Sequence, residues 1–204
     1  DMVIERGIGA FSSSNTANAL LVLKMNALDG YCCLTHGAWG LYYAWDAIVR
    51  CDDKGVARVN LLLNRASQWL DVDSYLPYQG RVVVHNKTAK TLFLRIPAWA
   101  DKQAVRCRRN NKPVDFMWDG NYIVITGLRK KDTITAEFPM VKWTEQHYGY
   151  TINFKGNTVV DISPRGNLPA RFKSNYPIYL RDHMKRNKAP MKEITRYVAP
   201  MTLK

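Results

Sequence analysis

From Val56 onward, apolar and polar residues alternate in short runs that return at fairly regular intervals. The runs at 56–63, 69–75, 81–85, 91–96, 122–126 and 133–138 are rich in β-branched and aromatic residues with a period of two. Turn-forming clusters separate them, at Asp52-Asp53-Lys54-Gly55, Tyr78-Gln79-Gly80, Asn86-Lys87, Asp119-Gly120-Asn121 and Lys131-Asp132. This pattern predicts an antiparallel β-sandwich over residues 53–141. Past Pro139-Met140 the runs at 150–154, 158–162, 178–180 and 194–198 repeat it less cleanly. Residues 142–204 are few for an independent core, so they are expected to add strands to the sandwich or to form a small second β domain.

Ahead of the sandwich the period is helical. Residues 16–25 suit a short helix with Ser14, Asn15 or Thr16 as cap. Residues 37–50 are apolar nearly all round, with Thr35 as a cap and Arg50 placed to meet the negative end of the helix dipole. Such a helix requires burial on every side, more than residues 1–52 can provide alone. The β part or a further domain must cover it. Helical spacing assigns Trp39, Tyr42, Tyr43 and Trp45 to a core, with a sugar-stacking surface as the alternative. The fold class is therefore mainly β, a sandwich preceded by a short α-helical segment.

Composition adds limits. With 204 residues, 47% hydrophobic and 23% charged, the chain is globular rather than disordered. No apolar run approaches the roughly 20 residues that span a bilayer, and residues 1–6 lack the order of a signal peptide, so a soluble protein without a membrane partner is expected. An opening Asp1 in place of methionine fits a piece of a longer chain. The net charge of +13 draws attention to Arg106-Cys107-Arg108-Arg109, Arg129-Lys130-Lys131 and Lys185-Arg186-Asn187-Lys188. These clusters are short, fall at expected turns and match no nucleic-acid-binding signature, so solvated turns are preferred and no nucleic acid is expected.

Cys32, Cys33, Cys51 and Cys107 are too few and too unevenly spaced for a disulfide scaffold, and adjacent cysteines rarely bridge each other. Free thiols or metal ligands fit better and lean toward a reducing, cytoplasmic compartment. Reactive chemistry is concentrated at Cys32-Cys33, just before the helix of residues 37–50, where the dipole and unpaired N–H groups favour a thiolate. The plain alternative is two small buried residues at a helix start. His36, about one helical turn on, suits a metal ligand, a thiolate partner, a substrate-binding sugar contact or a hydrogen-bonded structural histidine. Cys51 and Cys107 read as structural, and Trp99 as a packing anchor behind Pro97. His85, His147 and His183 show no ligand-like spacing. Asn86-Lys87-Thr88 is a glycosylation sequon that matters only in a eukaryotic secretory route.

A set of motifs also occurs in a fixed order: Cys32-Cys33 leading into a helix, Val59-Asn60-Leu61, Ser74-Tyr75-Leu76-Pro77-Tyr78-Gln79-Gly80, Leu94-Arg95-Ile96-Pro97-Ala98-Trp99-Ala100, Gly120-Asn121-Tyr122, Lys131-Asp132-Thr133-Ile134 and Phe138-Pro139-Met140. In this the chain resembles the C-terminal part of glycoside hydrolase family 127, the β-L-arabinofuranosidase-like enzymes. The match runs from about residue 31 to 140, and more loosely to Arg181. The resemblance implies that residues 1–52 are the end of an (α/α)6 barrel and that the parent enzyme is a retaining glycosidase acting on arabinofuranoside-type glycans. It assigns Cys32 as nucleophile and zinc contact and Cys33 as a zinc ligand. The family's Glu-x-Cys element occurs nowhere in this chain. Its acid/base glutamate has no counterpart either, since nothing around Glu5 matches. The 204 residues alone are thus expected to be inactive, to hold zinc poorly if at all, and to self-associate through uncovered barrel surface. The competing reading is a non-catalytic sandwich module for carbohydrate binding or subunit association.

Overall fold

The computed structural model of the chain describes residues 31–147 and 150–163. The short helix expected at 16–25, the strands at 178–180 and 194–198, His183 and the basic cluster at 185–188 lie outside the described residues. Two compact units share the chain: among described residues, one holds 31–44, 144–154 and 159–163, the other 45–143 and 155–158.

The helix α1 runs Tyr31–Asp46, six residues earlier at its start and four shorter at its end than the sequence pattern predicts. Ile48 and Val49 account for the early stop, because both are stiff, β-branched residues buried in the sandwich core. Val49 opens strand β1 (Val49–Cys51), and Arg50 turns back to pair with Asp46 instead of capping a longer helix. Asn60 closes the junction by donating its Nδ2 to the Ala47 carbonyl at 2.9 Å.

The sandwich is built from β1, β2 (Val56–Val59), β3 (Arg65–Ala66), β4 (Leu70–Ser74), β5 (Arg81–Asn86), β6 (Thr91–Arg95), β7 (Arg106–Arg109), β8 (Lys112–Pro113), β9 (Met117–Asp119), β10 (Tyr122–Ile125) and β11 (Thr133–Glu137). One sheet has the order β1-β2-β6-β10-β9, the other β3-β4-β5-β11-β7-β8. Val59, Leu92, Leu94, Ile123 and Ile125 of the first sheet meet Leu70, Val72, Val82, Val84 and Ile134 of the second, all at most 1% exposed. The period of two puts these residues on the inner faces and leaves charged side chains outside. Pairing is antiparallel except between β2 and β6, which run parallel with Val56 opposite Thr91 and Val59 opposite Leu94. That pair departs from the expected all-antiparallel sheet because the chain visits the second sheet, through β3 to β5, before returning.

A third sheet has the order β12 (Lys142–His147), β13 (Tyr150–Lys155) and β14 (Thr158–Ser163). Its β13–β14 turn, in the sandwich unit, is held by Gly156 N–H to the Val141 carbonyl at 2.8 Å and by Lys155 Nζ to the Tyr78 carbonyl at 3.1 Å. Gly80 is required by close approach. A Cβ there would run into the Phe138 carbonyl oxygen, and Phe138 N–H donates to the Gly80 carbonyl at 2.8 Å.

Candidate active site

Cys32 and Cys33 stand in the first turn of α1, not ahead of it as the sequence pattern has it. The first turn still carries unpaired backbone N–H groups, and no acidic residue occupies it, so the positive end of the dipole is uncompensated from within the helix. At about 100° per residue, Cys32 and Cys33 diverge around the helix, while position 36 falls one turn on, in the wedge between them. His36 itself is exposed and lies edge-on to Trp39, with ring centroids 5.8 Å apart. The three positions the sequence singles out therefore share one side of one helix.

Thiolate and imidazole are the donors zinc prefers, so the chemistry of this set suits the metal. Its number does not: three positions on adjacent turns of a single helix leave a tetrahedral site at least one ligand short. Among the residues whose side chains are described, no group of three or more His, Cys, Asp and Glu is placed to hold a metal ion.

The aromatic residues along α1 do not form the core that their spacing suggests. Trp39 and Tyr42 are 58% exposed, Tyr43 is 63% exposed, and Leu41 joins them at 63%. An apolar helix presents such side chains on every face, and at its C-terminal end the Arg65 guanidinium lies 3.4 Å from the centre of the Trp45 ring.

Within the sandwich the remaining candidates resolve into structural roles. Cys107 points into the core, and burial pushes its thiol up to about 12; Cys51 is raised as well, by burial and then by the adjacent Asp52 and Asp53 carboxylates. Both are free thiols in settings that suppress the nucleophilic thiolate. Trp99 is the packing anchor the sequence suggests, edge-on to Phe138 at 5.7 Å. His85 Nε2 meets Asp73 Oδ2 at 2.9 Å across the β4–β5 pair, and Lys87 Nζ meets Asp71 Oδ1 at 2.8 Å. Sequence spacing misses this quartet because it exists only through the register that sets Asp71 opposite His85. Asn86 is 4% exposed; its amide donates to the Ala89 and Arg129 carbonyls and accepts from the Ala89 N–H. A glycan on that nitrogen is incompatible with this fold, so the sequon is closed. No helix among the described residues is long and apolar enough to cross a membrane.

No family model matches the sequence, and no curated protein does. Solved structures match the fold. One is a GH127 β-L-arabinofuranosidase from Geobacillus stearothermophilus T6, at 19% identity and a TM-score of 0.50, covering 63% of this chain and 23% of that one. Another, described as a glycoside hydrolase, matches at 19% identity and a TM-score of 0.50, covering 63% of this chain and 25% of that one. At this identity the likeness is one of fold, and the matched part spans about a quarter of either structure.

Proposed function

We propose that the chain is the C-terminal part of a retaining glycoside hydrolase similar to the β-L-arabinofuranosidases of family 127, carrying one part of the active site on α1. The fold likeness to such an enzyme carries the reading. The ordered motifs from Cys32-Cys33 to Phe138-Pro139-Met140 support it independently. In the parent enzyme Cys32 attacks the anomeric carbon as thiolate, the glycosidic C–O bond breaks, and an acid outside these residues protonates the leaving oxygen. Water deprotonated by the same group then displaces Cys32 with a second inversion, which restores the configuration. Zinc, when bound, keeps thiols deprotonated at neutral pH. Cys33 belongs to its ligand set, and His36 contacts the sugar or the thiolate. The exposed aromatic side chains of α1 fit the reading, because a barrel that covers them supplies the missing ligand and the acid/base. The domains then divide near residues 52 and 141, and the free thiols of Cys51 and Cys107 suit a reducing compartment.

The test is hydrolysis of an aryl β-L-arabinofuranoside. The parent enzyme turns it over, and Cys32→Ala lowers kcat by more than about a thousandfold. The 204-residue chain alone shows no turnover and no stoichiometric zinc. Undiminished activity in the Cys32→Ala parent, or turnover by the isolated chain, refutes the assignment. A parent with no glycosidase activity would favour the non-catalytic module.

A further inference from the structure

Basic residues that the sequence scatters are gathered by the fold at one end of the sandwich. The turn at 52–55 meets the β5–β6 connection through the Lys90 N–H and Gly55 carbonyl at 2.9 Å. That connection meets the turn at 126–132 through Leu128 N–H to the Lys90 carbonyl at 2.9 Å and Lys131 N–H to the Asn86 carbonyl at 3.0 Å. The β7–β8 hairpin joins through Asn110 N–H to the Thr133 carbonyl at 2.8 Å. Lys54, Lys90, Lys112, Lys130 and Lys131 are all exposed on these turns, and none is among the ion pairs of the described residues.

The nearby carboxylates are already engaged. Asp132 is buried against the Arg129 N–H and the Asn110 amide, Asp71 holds Lys87, and of the two exposed acids, Asp52 and Asp53, Asp52 accepts from the Lys54 and Val56 N–H groups. The result is a rim of exposed ammonium groups around a hydrogen-bonded floor, with positive charge in excess.

We propose that this rim binds a carboxylate-bearing polysaccharide, a polyuronate, and so anchors the enzyme to acidic glycan; the choice of a glycan rests on the glycosidase reading above. Two features separate this partner from nucleic acid. None of the turns at 52–55, 86–90, 110–111 and 126–132 contains an aromatic residue on which a base could stack. The exposed cations on these turns are five lysines and Arg129, so point charges suited to carboxylates spread along a flexible chain outnumber the arginine forks that clasp phosphate.

Affinity electrophoresis of the 204-residue chain through gels containing polygalacturonate or neutral arabinan tests the proposal. Polygalacturonate is expected to retard the chain in a salt-sensitive way, and the triple variant K112Q/K130Q/K131Q to bind about tenfold more weakly. Lys102→Gln, at the opposite end of the sandwich, should bind as the parent chain does. A circular dichroism spectrum unchanged in the triple variant ties its loss to charge rather than unfolding, and K54Q/K90Q, on the neighbouring turns, provides a second variant expected to weaken binding. No retardation by polygalacturonate, undiminished binding by both multiple variants, or equally tight binding of duplex DNA or of phosphatidylserine vesicles overturns it. Loss of arabinofuranosidase activity in the parent leaves polyuronate binding unaffected, so the failure of one reading is distinguishable from the failure of the other.

Discussion

Asp132 is the one carboxylate buried among the described residues, and three neighbours explain how it stays charged. The Arg129 backbone N–H donates to it at 2.8 Å, the Asn110 amide donates at 2.8 Å, and the Arg109 Nε lies 4.0 Å away. The Arg129 N–H contributes most to holding this carboxyl below the usual range, and burial opposes it. A depressed folded value means stability that is present above the unfolded pKa of about 3.9 and is lost as pH falls through the folded value. Asp132→Asn should therefore lower the urea midpoint at pH 7, with the gap from the parent chain narrowing below pH of about 4. A gap of constant size at pH 7 and pH 3 would contradict that account. The sequence places Asp132 in a turn but does not reveal its role, because Asn110, its partner, is reached only when β7 pairs with β11. Cysteine chemistry was more legible: Cys51 and Cys107 read as structural from their flanking residues, and the fold sets both thiols against ionisation.

Among the elements, those with strong apolar alternation were readable, and a strand with one small buried residue between arginines was not. Strands β4, β5, β6, β10 and β11 fall within a residue or two of the predicted runs. Strand β7 escaped because Arg106, Arg108 and Arg109 look like a basic cluster, although Cys107 between them is buried and the period of two is intact. Strands β3, β8 and β9 are two or three residues long, too short to show a period at all. The β13–β14 turn shows what one residue contributes to an element. Gly156 has φ of +59°, and a Cβ there would lie 2.7 Å from Trp99 Cζ2 and 3.0 Å from Met140 Cε. Trp99 has little room to yield, since Phe138 meets it edge-on. Gly156→Ala combines a disfavoured backbone region with overpacking, and should cost about 2–4 kcal/mol, seen as a thermal midpoint lower by roughly 5 °C or more and an altered near-UV tryptophan signal. An unchanged midpoint would mean that Trp99 does not pack on this turn.

For the whole molecule, the sandwich was legible because its contacts are made by the same alternating residues that announce it. The candidate site was legible only at the level of positions: a helix start, two thiols and a histidine one turn on, all on α1. Sequence spacing identifies what one helix can hold together, and a four-ligand metal site or a two-group hydrolytic site exceeds that. The aromatic residues of α1 matter at a larger scale. Trp39, Leu41, Tyr42 and Tyr43 expose large apolar side chains along one helix, with no charged residue between Tyr31 and Trp45 to interrupt them. A contiguous apolar surface of this kind drives association in water. The isolated chain should therefore self-associate, and its high positive charge should oppose this at low ionic strength and cease to do so as salt screens it. Light scattering is expected to show an average mass that rises with both protein and salt concentration, and the double substitution Leu41→Glu with Tyr43→Lys to return it to that of a monomer. A monomer at every salt concentration would show that α1 is covered from within the chain.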